Sequence, residues 1–573
     1  MLKDRLKLLI WLAVILSAAL IGYGTLNGLG RLISYFSSGA DPASALKLVP
    51  SVPLDLSRRV TWLPDFPTSS EGRAMEPYTR DQIASSYLRA WAQWEISYEL
   101  GQPYGLKSYF ASPALEAAAA AVTTTVNGGW EMRQSALHHT LQLAFYSDDG
   151  SIVAFTDQRA EVVRQMKRGD GSFQQIEESA DRYAVTMRLE DGNWRVRDLV
   201  RRGQAEPQVF TTTVPISPTE FVKVSGNQLT LAGQPYRLTG VNYYPQASPW
   251  TQFWPSYQFT QTVTDLGLIH SLGFNSVRIF VAFTDFGGDQ IDETNILRLT
   301  HFLDQAHARQ LKVIVTLFDH HTDHRLGQWA EDDRHLAGLI PHFAQHPAIL
   351  AWDIKNEANR DYDFNTPELT DAWLRHIAQR VRSYDGNHLL TIGWSTPEAA
   401  SALTDLVDFV SYHYFEASAD YSTRLAKLLV AVPNKPVLLQ EFVMSTWNSI
   451  WPHGHSEEEQ ASYYADLLRQ HRSFATAGEM VWTVYDFDRV PLAEFSLPWQ
   501  QAIQGHMGLV RRDGTLKAAA TLFAPNASLD LAPLPAWQRF VKPFWLFLYG
   551  CAIVGFVILR WLLRWWRRIR GRN

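Results

Sequence analysis

A chain of 573 residues with a formal net charge of −6 and a pI near 6.3 has room for two or three domains and is a poor fit to nucleic acid as a main partner. Its single cysteine, Cys551, excludes an intramolecular disulfide and any cysteine-built zinc site, so stability must come from packing. Tryptophan is abundant at 21 residues; indole faces stack on sugar rings but also fill large cores, so the count alone decides nothing.

Taken in chain order, Leu8 to Leu26 carries no formal charge, is rich in Leu, Ile, Val and Ala, and is near the length that crosses a bilayer as a helix. The small residues Ser17-Ala18-Ala19 leave a cleaved secretion signal as the alternative to an anchor. Residues 27–75, rich in Ser, Pro and Gly, read as a stalk. From Asp81 to Leu100, Ile83, Tyr87, Trp91, Trp94 and Tyr98 fall on one helical face, and Pro113 to Val122 is an alanine-dominated helix. Alternating Leu141, Leu143 and Phe145 precede the turn Asp148-Asp149-Gly150, and Trp194 and Val196 follow Asp191-Gly192. Helices followed by long antiparallel strands predict a small α+β domain over 76–205 that resembles the NTF2-like cone fold.

Over 220–525 the rhythm becomes regular. Candidate strands are Arg237–Asn242, Ser276–Val281, Val313–Phe318, Ile349–Ile354, Leu389–Gly393, Phe409–His413, Val437–Glu441 and Glu479–Val484. Helical stretches fall between most of them; in Asp292–Gln310, Ile296, Leu299, Leu303 and Ala306 form one stripe. The alternation predicts an α/β fold, a (β/α)8 TIM barrel, with its active site at the C-terminal strand ends. A linker (526–542) leads to a second apolar run, read as a transmembrane helix over 543–563, and then a basic tail, 564–573. A basic amphipathic surface helix is the poorer alternative for that run. Lys3, Arg5 and Lys7 precede the first run, while Arg560, Arg564, Arg567, Arg568, Arg570 and Arg572 end or follow the second. The charges place both termini in the cytoplasm, and everything between the two membrane helices outside.

Two glutamates carry the chemistry. Glu357 follows the fourth strand in Trp352-Asp353-Ile354-Lys355-Asn356-Glu357, and Glu441 ends the seventh in Val437-Leu438-Leu439-Gln440-Glu441. Burying a carboxylate unpaired is costly, so two of them at strand ends predict a shared polar cleft. Paired carboxylates in a cleft are the machinery of glycosidic bond cleavage. His320, His321 and His324 with Asp319 and Asp323 match no metal-ligand spacing and read as loop residues lining that cleft, so no metal or cofactor is expected. The chain also lacks a GxxxxGK loop and a GxSxG elbow, which excludes the usual nucleotide and serine-hydrolase readings.

With these motifs in order, residues 220–525 resemble clan A of the glycoside hydrolases, nearest to the family 5 cellulase and mannanase group. The resemblance rests on Arg278 in strand two, Asn356-Glu357 after strand four, His413 in strand six, Glu441 in strand seven, Trp482 in strand eight and the closing run Gly508–Lys517. It implies a retaining mechanism with carboxylates about 5 Å apart. Glu441 is then the nucleophile, kept ionised by Arg278, and Glu357 the acid/base, its pKa raised by Glu441. Asn356 would hold the sugar 2-hydroxyl, Trp482 would lie under the reacting sugar, and His413 would bond substrate or fix a glutamate. The group usually shows His-x-Tyr after strand six; here Phe415 stands in that place, so either Tyr414 substitutes or the hydrogen bond is missing. The substrate-binding set is thus Arg278, Asn356, His413, Tyr414, Trp482 and His320. The expectation is a membrane-anchored retaining β-glycoside hydrolase acting on a β-glucan or β-mannan at the cell surface, partnered by proteins that make or export polysaccharide. A transglycosylase, or a non-catalytic glycan-binding barrel in an export assembly, is the alternative.

Overall fold

The computed structural model describes residues 56–66, 73–171, 173–206, 220–448, 454–524, 527–532, 534–535 and 542–570. The Leu8–Leu26 run and most of 27–75 lie outside the described residues.

The first unit layers two helices on a sheet. The helix Pro77–Glu99 starts on a proline, whose missing N–H costs nothing in a first turn, and buries Ile83, Tyr87, Leu88 and Trp91. A second helix, Ala114–Asn127, follows. Four antiparallel strands, Trp130–Tyr146, Ile152–Arg168, Gln174–Glu190 and Asn193–Gln204, pair in sequence order. The turn Asp191-Gly192 takes positive φ at both residues, the geometry that lets a two-residue hairpin follow the sheet's twist. One correction concerns the boundary. Val60–Trp62, assigned to the stalk, adds a parallel edge strand beside His139–Leu141. Three residues are too few to show a period.

The barrel strands are Leu238–Asn242, Ser276–Phe280, Lys312–Thr316, Ile349–Asp353, Leu389–Thr391 with Gly393–Trp394, Val410–Tyr414, Val437–Phe442 and Gly478–Val481, all parallel and almost wholly buried. Strand five breaks at Ile392. Its first half pairs with strand four and its second with strand six, and strand eight pairs back onto strand one. Helix starts are set locally: Asp292 accepts from the Thr294 N–H, Thr366 caps Leu369, and Ser456 with Glu459 forms a capping box. A small sheet missed by the sequence reading, Val222–Ser225, Gln228–Leu231 and Gln234–Pro235, packs Val222 and Leu229 with Leu238, Ile314, Leu350 and Leu438. Leu238, Leu350 and Leu438 lie early in their strands, so the small sheet closes the end opposite the site.

The two units are pinned by buried charge. The barrel helices Leu326–Phe343 and Pro367–Tyr384 lie against the α+β sheet. There His376 reaches Glu178 at 2.9 Å and Asp333 at 2.7 Å, while Arg380 reaches Glu161 at 2.5 Å and Asp333 at 3.0 Å. Burial opposes the charge on His376, but Asp333 and Glu178 outweigh it and lift its pKa to about 10. At the other end the helix Pro543–Arg570 runs past the expected limit into the basic tail. Within it Trp545–Arg564 has a mean hydropathy of 2.2 and is long and apolar enough to cross a membrane.

Candidate active site

The site is built around a fully buried cation. Arg278, in strand two, donates through Nη2 to Asp353 Oδ2 (2.7 Å) and to Asn356 Oδ1 (2.9 Å). Its Nε donates to Thr316 Oγ1 (2.8 Å) and its Nη1 to Asn242 Oδ1 (3.1 Å) and to Glu441. Strands one, two, three, four and seven therefore converge on one guanidinium. Asp353, also fully buried, further accepts from the Gly393 N–H at 2.9 Å and Gln440 Nε2 at 3.1 Å. Gly393 has to be glycine-sized: a Cβ there would lie 2.9 Å from Gln440 Oε1 and 3.2 Å from the Lys355 carbonyl.

One imidazole stands between the two glutamates. His413 Nδ1 is 3.3 Å from Glu357 Oε1, and its Nε2 is 3.3 Å from Gln440 Oε1 and 3.6 Å from Glu441 Oε1. With acceptors facing both ring nitrogens, the doubly protonated ring is favoured. Burial opposes that charge, but Glu441 and Glu357 outweigh it, so the His413 pKa lies above its ordinary value. Glu357 itself sits at φ +49°, in the left-handed region that side chains rarely adopt and that tends to be kept at functional positions.

The charge balance differs from the expected one. Burial pushes Glu441 above the usual carboxylate range, and His413 and Arg278 only partly offset it. Burial also pushes Glu357 upward, but the hydrogen bond and charge of His413, helped by Arg360 at 2.8 Å, hold it below its ordinary value. The sequence reading weighed each glutamate against one neighbour and missed that a single cation serves both.

Trp482 faces the cleft among Trp250, Tyr244 and Phe280, with ring centroids 5.9 to 6.3 Å away. His320 lines the cleft, at 3.2 Å from Asp319 and 3.6 Å from Glu494. Tyr414 is a correction. Its hydroxyl donates to the Ala417 carbonyl at 2.7 Å and its ring lies under Arg424, so it does not stand in for the absent tyrosine; Phe415 lines the cleft instead. His321 and His324 lie 3.2 Å from Asp332 and 3.1 Å from Asp361, with His324 stacked on Trp373, so these two serve the fold. The sequence reading missed Asp353 and Trp250, and named Asp319 only beside the loop histidines. An aspartate closing an apolar strand four residues before Glu357 was a usable signal for the first.

The cleft encloses about 1130 Å³. From Glu357 and Glu441 it passes Arg360, Phe415 and the face of the Glu457–His471 helix to Leu531 and Leu534, in the stretch leading to the apolar helix. Arg469 of that helix donates to the Leu529 carbonyl at 2.7 Å, and Lys542 pairs with Glu459 at 2.9 Å.

The near-closed parallel barrel places Glu357 just after strand four and Glu441 near the end of strand seven. The sequence profile of the cellulase family, glycosyl hydrolase family 5, matches residues 229–476, which hold strands one to seven and both glutamates. A putative mannan endo-1,4-beta-mannosidase 4 of Arabidopsis thaliana is 27% identical over 248 residues, covering 34% of this chain and 60% of that protein. Mannan endo-1,4-beta-mannosidase 1 of Oryza sativa subsp. japonica is 23% identical over 343 residues, covering 46% and 78%. The solved exo-beta-1,4-mannosidase from Opitutaceae bacterium strain TAV5 has a TM-score of 0.43 and 21% identity, over 51% of this chain and 59% of that one. The chain thus spans about 60% of the length of the first of these relatives.

Proposed function

We propose that this protein is a retaining β-glycoside hydrolase acting on β-mannan- or β-glucan-type chains at the outer face of a membrane. The observation that carries the reading is the pair Glu357 and Glu441 facing the two nitrogens of one imidazole, with Arg278 on Glu441. In this reading Glu441 attacks the anomeric carbon while Glu357 protonates the departing oxygen, then draws a proton from the water that releases the sugar. Arg278 and His413 supply positive charge that partly offsets the burial of Glu441 and favours its ionised form. Glu357 must gain a proton before it can donate one. A sugar displacing the exposed Arg360 would remove one of the influences holding its pKa down. Asn356, oriented by Arg278, is placed for the sugar 2-hydroxyl, and Trp482 forms the floor.

The names of the relatives favour mannan over glucan. Two membrane segments with cytoplasmic termini would hold the catalytic unit outside, and the cleft's rim lies on the stretch that leads into the C-terminal helix. Both features support a substrate met at the cell surface, with the NTF2-like unit as a rigid spacer or a dock for export proteins. The test is hydrolysis of 4-nitrophenyl β-mannoside and β-glucoside followed by NMR, with Glu441→Gln as control. Initial release of the β-anomer supports the reading and an initial α-anomer refutes retention. No turnover by the folded protein favours the glycan-binding barrel, which the phenylalanine at 415 also fits.

A further inference from the structure

From the glutamate pair the cleft reaches Leu531 and Leu534 in one direction and three packed loops in the other. The wall is made where loops after strands one, three and eight meet. Trp250, held at φ +52° after strand one, packs its ring on Phe487 (4.9 Å) and Phe495 (5.4 Å) of the strand-eight loop. The same two loops are tied by Gln246, which donates to Asp488 at 3.2 Å and accepts from the Asp488 N–H at 3.1 Å. After strand three, His320, at φ +58°, lies between Asp319 and Glu494, so it joins the third loop to the eighth. Tyr244 backs the wall, with its hydroxyl 3.4 Å from Asp319. Past Glu357, Arg360 and Phe415 are solvent-exposed, as His320 is on the wall, but there the cleft continues to Leu531 and Leu534.

This asymmetry has a chemical consequence. The leaving group departs on the side of Glu357, which protonates it, so the walled side receives the non-reducing end of the reacting sugar. There Asp319 offers an acceptor and His320 a donor. Burial opposes the Asp319 charge, but His320 holds its pKa at about 2, and Asp319 in turn lifts that of His320 to about 9, so both stay charged near neutral pH. A terminal sugar presents free hydroxyls to such a pair. An internal unit would present a glycosylated oxygen and a further ring, which meet Trp250 and His320.

We infer that the enzyme removes single sugars from non-reducing chain ends, with Trp250, Asp319, His320 and Glu494 as the wall that blocks internal cleavage. The inference rests on the glycosidase reading above and departs from the endo-acting names of its curated relatives. In each turnover one terminal glycosidic C–O bond breaks, with water giving its OH to the anomeric carbon and its proton to the departing oxygen.

The test uses full-length protein in lipid nanodiscs with 4-nitrophenyl β-mannobioside and β-cellobioside, alongside the matching monosides. The expected early products of the biosides are free monosaccharide and nitrophenyl monoside, exceeding intact disaccharide at least about tenfold, the discrimination that a blocked subsite readily supplies. Early release of disaccharide with nitrophenol would overturn the end-acting inference while leaving the glycosidase reading intact. Turnover of neither monosides nor biosides would overturn both.

Discussion

Asp353→Asn probes the buried charge that holds the site together. Asp353 and Arg278 are both fully buried, joined at 2.7 and 3.1 Å, and Asp353 also accepts from Thr316, Gln440 and the Gly393 N–H. The amide matches the carboxylate in shape but not in role. Turned one way its NH2 faces the Gly393 N–H; turned the other it faces Arg278, Thr316 and Gln440, so a donor meets a donor in either case. Removing one partner of a buried pair costs about 3–5 kcal/mol, and at about 2 °C per kcal/mol for a domain of barrel size the melting temperature should fall by about 6–10 °C. The pH profile should move as well. Arg278, no longer shared, lowers the Glu441 pKa, so the acidic limb of kcat/KM shifts to lower pH. Thermal unfolding read by tryptophan fluorescence and a pH series on an aryl glycoside measure the two effects. A melting temperature within about 2 °C of the parent with an unmoved acidic limb would refute the argument that Asp353 shares this cation.

Arg360→Gln removes an exposed cation that helps hold Glu357 below its ordinary pKa. Because the acid/base must be protonated to donate, the alkaline limb should move up; an exposed pair worth about 0.2–1 kcal/mol corresponds to about 0.1–0.7 pH unit. A downward shift would contradict the assigned role. His376→Ala should loosen the α+β unit from the barrel, seen as faster amide exchange in Gln174–Glu190 with the barrel strands unchanged. His376 has a raised pKa, so its contribution is complete below its ordinary value of 6.5 and fades as pH climbs through about 10. The parent should therefore show the same loosening near pH 10 and none below pH 6.5. Tyr414→Phe should lose no more than about 1.5 kcal/mol of stability and leave kcat unchanged, because its hydroxyl serves the Ala417 carbonyl. A large fall in kcat would return that hydroxyl to the site.

The barrel was legible because its strands are buried on every side and read as short apolar runs between amphipathic helices. Glu357 and Glu441 stood out because each ends such a run with a group that resists burial. Asp353 resists burial equally and closes strand four, but nothing local reveals that Arg278, 75 residues earlier, meets it. Trp250 was hidden for another reason: its loop has no period, and its value lies in contacts with residues more than two hundred positions away. Arg278 does lower the Glu441 pKa as expected, but the net directions were hidden because a histidine lying between two carboxylates changes both at once, a three-body arrangement that spacing does not encode. Val60–Trp62 and the sheet closing the barrel were too short to show a pattern.

A covalent bond between Glu441 and the reacting sugar would be trapped by 2-deoxy-2-fluoro β-mannosyl and β-glucosyl fluorides. Intact mass and peptide mapping would follow incubation of the full-length protein, with Glu441→Gln as control. The expected result is one added fluorosugar, carried by the peptide containing Glu441 and absent from the control. A folded protein that gains no mass from either reagent, or an adduct on any other residue, would contradict it.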